Sequence, residues 1–310
     1  MIKNRVATAV DLFAGAGGTS VGATLGGVDV LWAANHNALA VETHQRNHPN
    51  TTHVTQDLHQ ADWSLLPKHD ILYASPCCQG HSRARGKPHN DYHSDKSRST
   101  AWAVISCLEC HKTPVALIEN VIDFKKWSLY PIWLEALKAL GYAVSENTFN
   151  AKHHGVPQSR NRLILLATRT RSPLPIQLEK EPLIGASSFL DLSIAGHDWD
   201  NVANRVPATR KRVANARRDH GDIFIDSAYG SATSGHSIHA PIPTITTVNK
   251  HSLVIGDKIR PITIEEIAAA QTFPANYNWP ASKVATKAFI GNAVPPAFAK
   301  RLTDYVLQYA

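Results

Sequence analysis

The sequence predicts a doubly wound α/β fold with a small, irregular β-containing domain inserted late in the chain. Three observations lead there. Val6 to Phe13 is a mostly apolar run followed at once by AGAGGTSVGATLGG, Ala14 to Gly27. Strand, glycine turn and helix in that order form the opening unit of nucleotide-binding α/β folds. Further apolar runs then alternate with helical stretches as far as Ala167, whereas Ser172 to His251 has scattered Pro and Gly and weak periodicity. Finally, Asp70 to Ser82 reads DILYASPCCQGHS. Its apolar run suits a buried strand, stopped by the Ser-Pro step. The two cysteines then sit at a strand's carboxyl end, where open α/β sheets place their sites.

In the glycine turn, Gly15, Gly17 and Gly18 stand one or two residues apart. This is not GxGxxG, so an adenosine-type ligand fits better than a dinucleotide. Val28 to Ala34 is the second strand, followed by Asn35 and a helix over Ala38 to Asn47. Thr52 to Val54 is the third strand, ending near Asp57, which can accept from an adenine amino group or cap a helix. His81 to Ser99 is polar and basic without apolar periodicity, a loop long enough to suggest a role beside the cysteines. Thr100 to His111 reads as a helix. It contains Cys107-Leu-Glu-Cys110-His111, a haem-attachment pattern, but its helical spacing marks both cysteines as packing residues.

Val115 to Ile118 is an apolar strand ending in Glu119-Asn120, so its carboxylate points into the same crevice as Cys78. Trp133 to Leu140 is a helix ended by Gly141. Tyr142 to Asn150 and Arg162 to Ala167 are strands, and between them AKHHGVPQSRNR places Arg160 and Arg162 two apart on an extended chain, sharing a face. In the inserted region Arg205, Arg210, Lys211, Arg212, Arg217 and Arg218 form a basic cluster, either a solvated helix face or a set of phosphate contacts. Thr244 to Val248 and Ser252 to Ile255 are short β-prone pieces. After Pro261, Thr263 caps a helix over Ile264 to Gln271, with Glu266 completing a capping box. Phe289 to Pro296 is the last motif, and a terminal helix follows from Pro296.

Composition sets outer limits. The chain has 310 residues, 32 Lys and Arg against 25 Asp and Glu, a net charge of +7 and four cysteines. The basic balance suits a polyanionic partner. Two adjacent cysteines among four do not make a disulfide framework and point to a reducing compartment. No stretch is apolar for long enough to span a bilayer.

Taken together, DLFAGAGG, SPCCQGHS, ENV, QSRNR, RPITIEEIAAAQTFP and GNAVPP, in this order, resemble the DNA (cytosine-5)-methyltransferase family. The likeness covers nearly the whole chain apart from the variable stretch before RPITIEE. It implies a Rossmann-like, S-adenosylmethionine-dependent large domain over 1–170, a target-recognition domain over 171–257, and C-terminal motifs over 258–310 that return to the large domain. The implied reaction adds a thiolate to C6 of a cytosine flipped out of the duplex, so that C5 can accept the methyl group.

By this resemblance Cys78 is the nucleophile. Glu119 stays at N3, Asn120 supports the loop and the carboxylate, Arg162 holds O2, and Arg160 binds phosphate or steadies the nucleophile. Phe13, Ala14, Gly15, Gly17, Gly18, Asn35, Asp57, Leu58, Pro76 and Asn292 are the implied S-adenosylmethionine contacts. Gln79, Ser82, Arg83, Arg85, Arg210 and Arg212 are the implied DNA contacts. The expectation is a cytoplasmic monomer acting on double-stranded DNA, of the restriction-modification or phage type, with no metal and no membrane partner.

Two positions depart from the family pattern. Cys77 replaces the proline before the presumed nucleophile, and Asn35 stands where the family has a ribose-binding Glu. Three other functions share parts of the pattern: an RNA cytosine-5 methyltransferase, a DNA-binding protein with a dead methyltransferase fold, and a small-molecule methyltransferase. The size of the insertion suits a duplex reader. The joint presence of Cys78, Glu119 and Arg162 suits an active enzyme.

Overall fold

Seven strands make the main sheet of the computed structural model, which describes residues 5–77, 100–169, 175–230 and 232–310. They are β1 (Thr8–Leu12), β2 (Asp29–Asn35), β3 (Thr52–Thr55), β4 (Ile71–Ala74), β5 (Val115–Asn120), β6 (Ala143–Asn150) and β7 (Asn161–Thr168). Their order is β3-β2-β1-β4-β5-β7-β6. The first five run parallel, and β7 is antiparallel to both β5 and β6. The winding reverses between β1 and β4, which opens the crevice where such sheets take ligands.

Strands covered on both faces must be apolar throughout, not alternating. β4 (ILYA) is buried at every position, and β7 is buried from Leu163 to Thr168. Side chains on one face, including Val10, Leu72, Ala116 and Leu163, pack on helices α3 (Ala101–His111) and α4 (Tyr130–Ala139) through Val104, Leu108, Trp133 and Leu137. Their neighbours on the other face, Ala9, Ile71, Tyr73 and Ile164, pack on the C-terminal helix α8 (Pro296–Val306) through Phe298, Leu302 and Val306. Helix α4 starts three residues earlier than its apolar spacing suggested. Pro131 sits in its first turn, where a missing N–H costs nothing.

Helix α1 (Gly18–Leu25) lies directly on α8. A methyl group on Gly18 would fall on the Val294 carbonyl oxygen, on Gly22 it would meet Lys300 N at 2.7 Å, and on Gly26 Thr303 Cγ2 at 2.7 Å. Glycines four apart share a helix face, so these three form a groove that receives the end of the chain. Helix α2 (Ala38–Asn47) packs on β2 and β3, and its N-terminus is capped by Asn37.

A second sheet holds β8 (Asp200–Asn201), β9 (Ile223–Ser227), β10 (His236–Ser237), β11 (His251–Ile255) and β12 (Lys258–Pro261), in the order β10-β9-β11-β12-β8, all antiparallel. Helix α5 (Pro207–His220) covers it with Val213 and Ala216 against Phe224, Val254 and Ile259. The boundary expected at 257 and 258 passes through the β11–β12 hairpin, because Lys258 pairs with Ile255 in this sheet. The β-prone piece at Thr244 to Val248 is not a strand. It is tied instead to the large domain, where Thr244 Oγ1 donates to Ser159 O at 2.6 Å.

Helix α6 (Ile264–Ala270) has the expected capping box: Thr263 Oγ1 accepts from Glu266 N at 3.2 Å and Glu266 Oε2 accepts from Thr263 N at 2.7 Å. Helix α7 (Lys283–Asn292) was not expected as a helix; GNAVPP begins inside it. No described helix is long and apolar enough to cross a membrane.

Candidate active site

The end of β5 and the start of β7 bring the acid and the arginine together. Glu119 lies opposite Ile164 in the antiparallel register. Arg162, two residues from Ile164, therefore shares its face and sits diagonally across from Glu119. Arg162 Nε is 2.8 Å from Glu119 Oε1, and each side chain is only 13% exposed. One guanidinium nitrogen of Arg162 also donates to Asn161 O at 2.8 Å.

Asn120 turns to the opposite face and is buried. Its Nδ2 donates to Pro76 O at 3.1 Å and its Oδ1 accepts from Val121 N at 2.9 Å. The amide thus fastens the end of β5 to the chain leaving β4. The next residue along, Cys77, is half-buried, and its N–H donates to Thr100 Oγ1 at 3.0 Å. Cys78, Gln79, Ser82, Arg83 and Arg85, with the rest of the basic stretch to Ser99, lie outside the described residues.

Arg160, expected to bind phosphate or to steady the nucleophile, is held between two backbone carbonyls. The guanidinium is 1% exposed and donates to Ile245 O at 3.2 Å and Gly291 O at 2.9 Å. A phosphate contact would require it to leave both carbonyls. In this arrangement it joins the strand carrying Arg162 to the small domain and to the end of α7. Gln158, not singled out in the sequence, makes a parallel joint. Its Oε1 accepts from Ile245 N at 2.9 Å, its Nε2 donates to Gln271 Oε1 at 2.8 Å, and Gln271 Nε2 donates to Ile290 O at 2.6 Å. The two glutamines stand in QSRNR and QTFP, with nothing local in either to pair them.

The expected cofactor residues fall at the carboxyl ends of four adjacent parallel strands: Phe13 to Gly15 after β1, Asn35 closing β2, Asp57 after β3 and Pro76 after β4. Phe13 and Gly15 have φ of 62° and 57°, and a side chain on Gly15 would meet nothing within 4 Å. That open approach fits an adenosine-type ligand. At Gly17 and Gly18 the space left by the missing side chain is filled by protein. A Cβ on Gly17, whose φ is 99°, would lie 2.7 Å from Tyr277 Oη and 2.8 Å from His48 Nε2.

Asn35 Oδ1 accepts from Asn37 N at 2.9 Å, and Asp57 Oδ1 from His59 N at 3.1 Å, which makes Asp57 the cap of a short 3-10 turn. Leu58 is buried in the core, leaving only its backbone for a ligand. Ala14 is half-buried and Pro76 buried; Asn292, the last residue of α7, is exposed.

The basic cluster of the small domain largely serves the fold. Arg212 Nε is 2.8 Å from Asp226 Oδ1, with side chains 12% and 4% exposed. The pair fastens α5 to β9 at the residue that the sequence reading expected as a DNA contact. Arg205 pairs with Asp200, and Arg217 with Asp222 and Asp257. Arg210 and Lys211 are exposed.

Of the CxxCH cysteines, Cys107 is a core residue whose thiol is pushed up to about 12 by burial, while Cys110 is exposed and does not pack as expected. No group of three metal-ligating side chains occurs among the described residues.

The family model for C-5 cytosine-specific DNA methylases matches residues 7–220 and 194–308. The chain is 25% identical to the Type II methyltransferase M1.HphI of Haemophilus parahaemolyticus, covering 97% of this chain and 87% of that protein. It is 29% identical to M.NlaX of Neisseria lactamica, covering 92% and 91%. Among solved structures, a putative DNA modification methyltransferase from an E. coli prophage superposes with a TM-score of 0.71 at 18% identity, covering 98% of this chain and 99% of that one. Spodoptera frugiperda DNMT2 gives 0.71 at 19% identity, covering 97% and 99%. At those identities the structures speak for the fold.

Proposed function

Because the chain belongs to the C-5 cytosine-specific DNA methylase family, we propose that it methylates C5 of a cytosine extruded from a specific duplex DNA site, as the modification enzyme of a restriction system. The observation that carries this reading is the largely buried pair of Glu119 and Arg162, 2.8 Å apart where β5 ends and β7 begins. S-adenosylmethionine, when bound along the ends of β1 to β4, supplies a methyl group made electrophilic by its sulfonium.

The remaining work falls to the chain. The Cys78 thiolate attacks C6 and forms a carbon–sulfur bond, raising the electron density at C5. Glu119 holds or shares a proton at N3 as charge develops there. Arg162 keeps Glu119 oriented and directs its remaining donors to O2. Asn120, through Pro76 O, and Arg160, through Ile245 O and Gly291 O, position these groups and do not touch the base. Loss of the C5 proton then allows the Cys78 bond to break.

The test is methyl transfer from labelled S-adenosylmethionine to duplex DNA, with tRNA as a parallel substrate and bisulfite sequencing of the product. Label in duplex cytosine is the expected result; label confined to tRNA would overturn the choice of substrate. With DNA carrying 5-fluorocytosine, the wild type and Cys77→Ser form a covalent complex and Cys78→Ser does not. A complex that survives in Cys78→Ser would move the nucleophile to Cys77.

A further inference from the structure

Beneath the glycine turn lies a chain of polar side chains that the reaction above does not use. Asp11 of β1, Ser20 of α1 and His44 of α2 are all buried to 1% exposure or less. Ser20 Oγ is 2.7 Å from Asp11 Oδ2, His44 Nε2 is 3.0 Å from Ser20 Oγ, and His44 Nδ1 is 2.8 Å from His53 Nε2 on β3. His53 is half-buried and forms the outer end. The turn rests directly on this floor. A Cβ on Gly17 would lie 3.1 Å from His44 Cδ2, and the His44 and His48 rings are 4.4 Å apart.

We propose that Asp11, Ser20, His44 and His53 take up and release one proton as a single unit, and that the unit's charge biases the turn towards a cationic sulfonium ligand over a neutral thioether. The second half rests on the proposed use of this turn for S-adenosylmethionine.

The hydrogen bonds can be satisfied in two complete ways. With Asp11 ionised, His53 Nε2–H donates to His44 Nδ1, His44 Nε2–H to Ser20 Oγ, and Ser20 Oγ–H to Asp11. One proton arriving at His53 Nδ1 reverses every bond. His53 passes its Nε2 proton to His44 Nδ1, His44 its Nε2 proton to Ser20, and Ser20 its proton to Asp11, which now donates back to Ser20. Charge changes by one, and the three bonds from His53 Nε2 to Asp11 are matched in either state.

Burial favours placing the proton on the carboxyl, not on an imidazole. It raises Asp11 to about 7 and holds His44 well below the usual histidine range, with the neighbouring imidazoles acting in the same direction. His53 is lowered by burial, while the Thr51 backbone favours its proton.

The other titratable groups facing the unit are few. His48 is lowered to about 4, mainly by burial and then by His53. The Tyr277 hydroxyl donates to Ala16 O, and Tyr73 on β4 bonds Thr303 of α8. On the outer side of α2, Glu42 and Arg46 pair with each other. Among the described residues no cation pairs with Asp11. Its negative charge therefore acts on the turn without a local counter-ion, favouring a sulfonium above.

Binding of S-adenosylmethionine and of S-adenosylhomocysteine to the whole protein, measured by calorimetry from pH 6 to 8.5, tests this. The preference for the sulfonium is expected to rise roughly 3-fold with pH through neutrality in the wild type. It should not change with pH in Asp11→Asn. In the ligand-free protein, histidine nitrogen shifts should show His44 and His53 exchanging tautomers at one shared midpoint, a coupling lost in Ser20→Ala.

A flat preference in the wild type, the same slope in Asp11→Asn, or two imidazoles that titrate separately would overturn the proposal. Failure of both ligands to bind at any pH overturns the cofactor placement and with it the ligand half. The tautomer exchange then judges the proton unit by itself.

Discussion

Arg162 Nε is held 2.8 Å from Glu119 Oε1 by a diagonal relation between two antiparallel strands. The pair is set by backbone register and not by a loop, so the acid keeps one orientation without needing substrate to arrange it. Removing either partner should leave the sheet intact, because both lie at strand ends.

Glu119→Gln is therefore expected to lower kcat by about 100-fold or more, the usual scale for a positioned proton donor, with cofactor affinity unchanged. Arg162→Ala should do the same and also raise KM for DNA. Single-turnover methyl transfer together with cofactor titration would check this. A weakened cofactor affinity in Glu119→Gln would mean that the acid belongs to the other half of the crevice.

The glycines of the first turn separate into two roles. A methyl on Gly22 would meet Lys300 N at 2.7 Å and also strike Ala299 Cβ. Gly22→Ala should then cost about 2–3 kcal/mol by forcing α1 from α8. Gly15 has open space around its missing side chain, so Gly15→Ala should fold, lose only about 1 kcal/mol to its left-handed backbone, and bind S-adenosylmethionine more weakly. Urea unfolding of both variants, with a cofactor titration of the second, distinguishes these outcomes.

The same residues show what the sequence could convey. Strands that run between two covered faces are written as unbroken apolar runs, so β4 and β7 were legible. So was the capping box of Thr263 and Glu266, which is a local device. The acid and arginine were legible because each closes or opens such a run. The Arg160 contacts with Ile245 and Gly291, and the Gln158–Gln271 amide pair, join positions separated by 85 to 131 residues; no local pattern encodes them. Helix α5 was legible only as one of two readings of its cations, because its buried face amounts to Val213 and Ala216, too narrow a stripe to stand out from five Lys and Arg.

Those cations divide along the same line. Arg212 is paired with a nearly buried Asp226, and removing one partner of such a pair strands the other's charge. Arg212→Ala should destabilise the protein by about 3 kcal/mol. Exposed Arg210→Ala should leave stability unchanged and reduce the salt dependence of DNA binding by about one unit of slope, if it meets a phosphate. Thermal unfolding and binding isotherms at several salt concentrations would check both, and an unchanged slope in Arg210→Ala would remove that residue from the interface.

Stability should pass through a maximum near neutral pH. His69, His154 and His251 are buried, and burial lowers each to about 4. Below about 6.5 the unfolded chain protonates these imidazoles while the folded chain keeps them neutral. The unfolded state then binds more protons, and stability falls as pH drops from about 6.5 towards 4. Each imidazole should contribute about 1–3 kcal/mol to this loss.

Asp11 acts in the opposite sense. Raised by burial to about 7, it keeps a proton that the unfolded chain releases near 4, so its contribution is present at low pH and lost as pH rises through 7. Urea midpoints measured at pH 4.5, 5.5, 6.5 and 8 should fall on the acid side, less steeply in His251→Gln, and the gain of Asp11→Asn over wild type should build between about pH 4 and 7 and level off above that. A midpoint constant from pH 6.5 to 4.5 would mean that these imidazoles are protonated in the folded protein, with the Ser227 hydroxyl, 2.8 Å from His251 Nδ1, accepting a hydrogen bond from the ring.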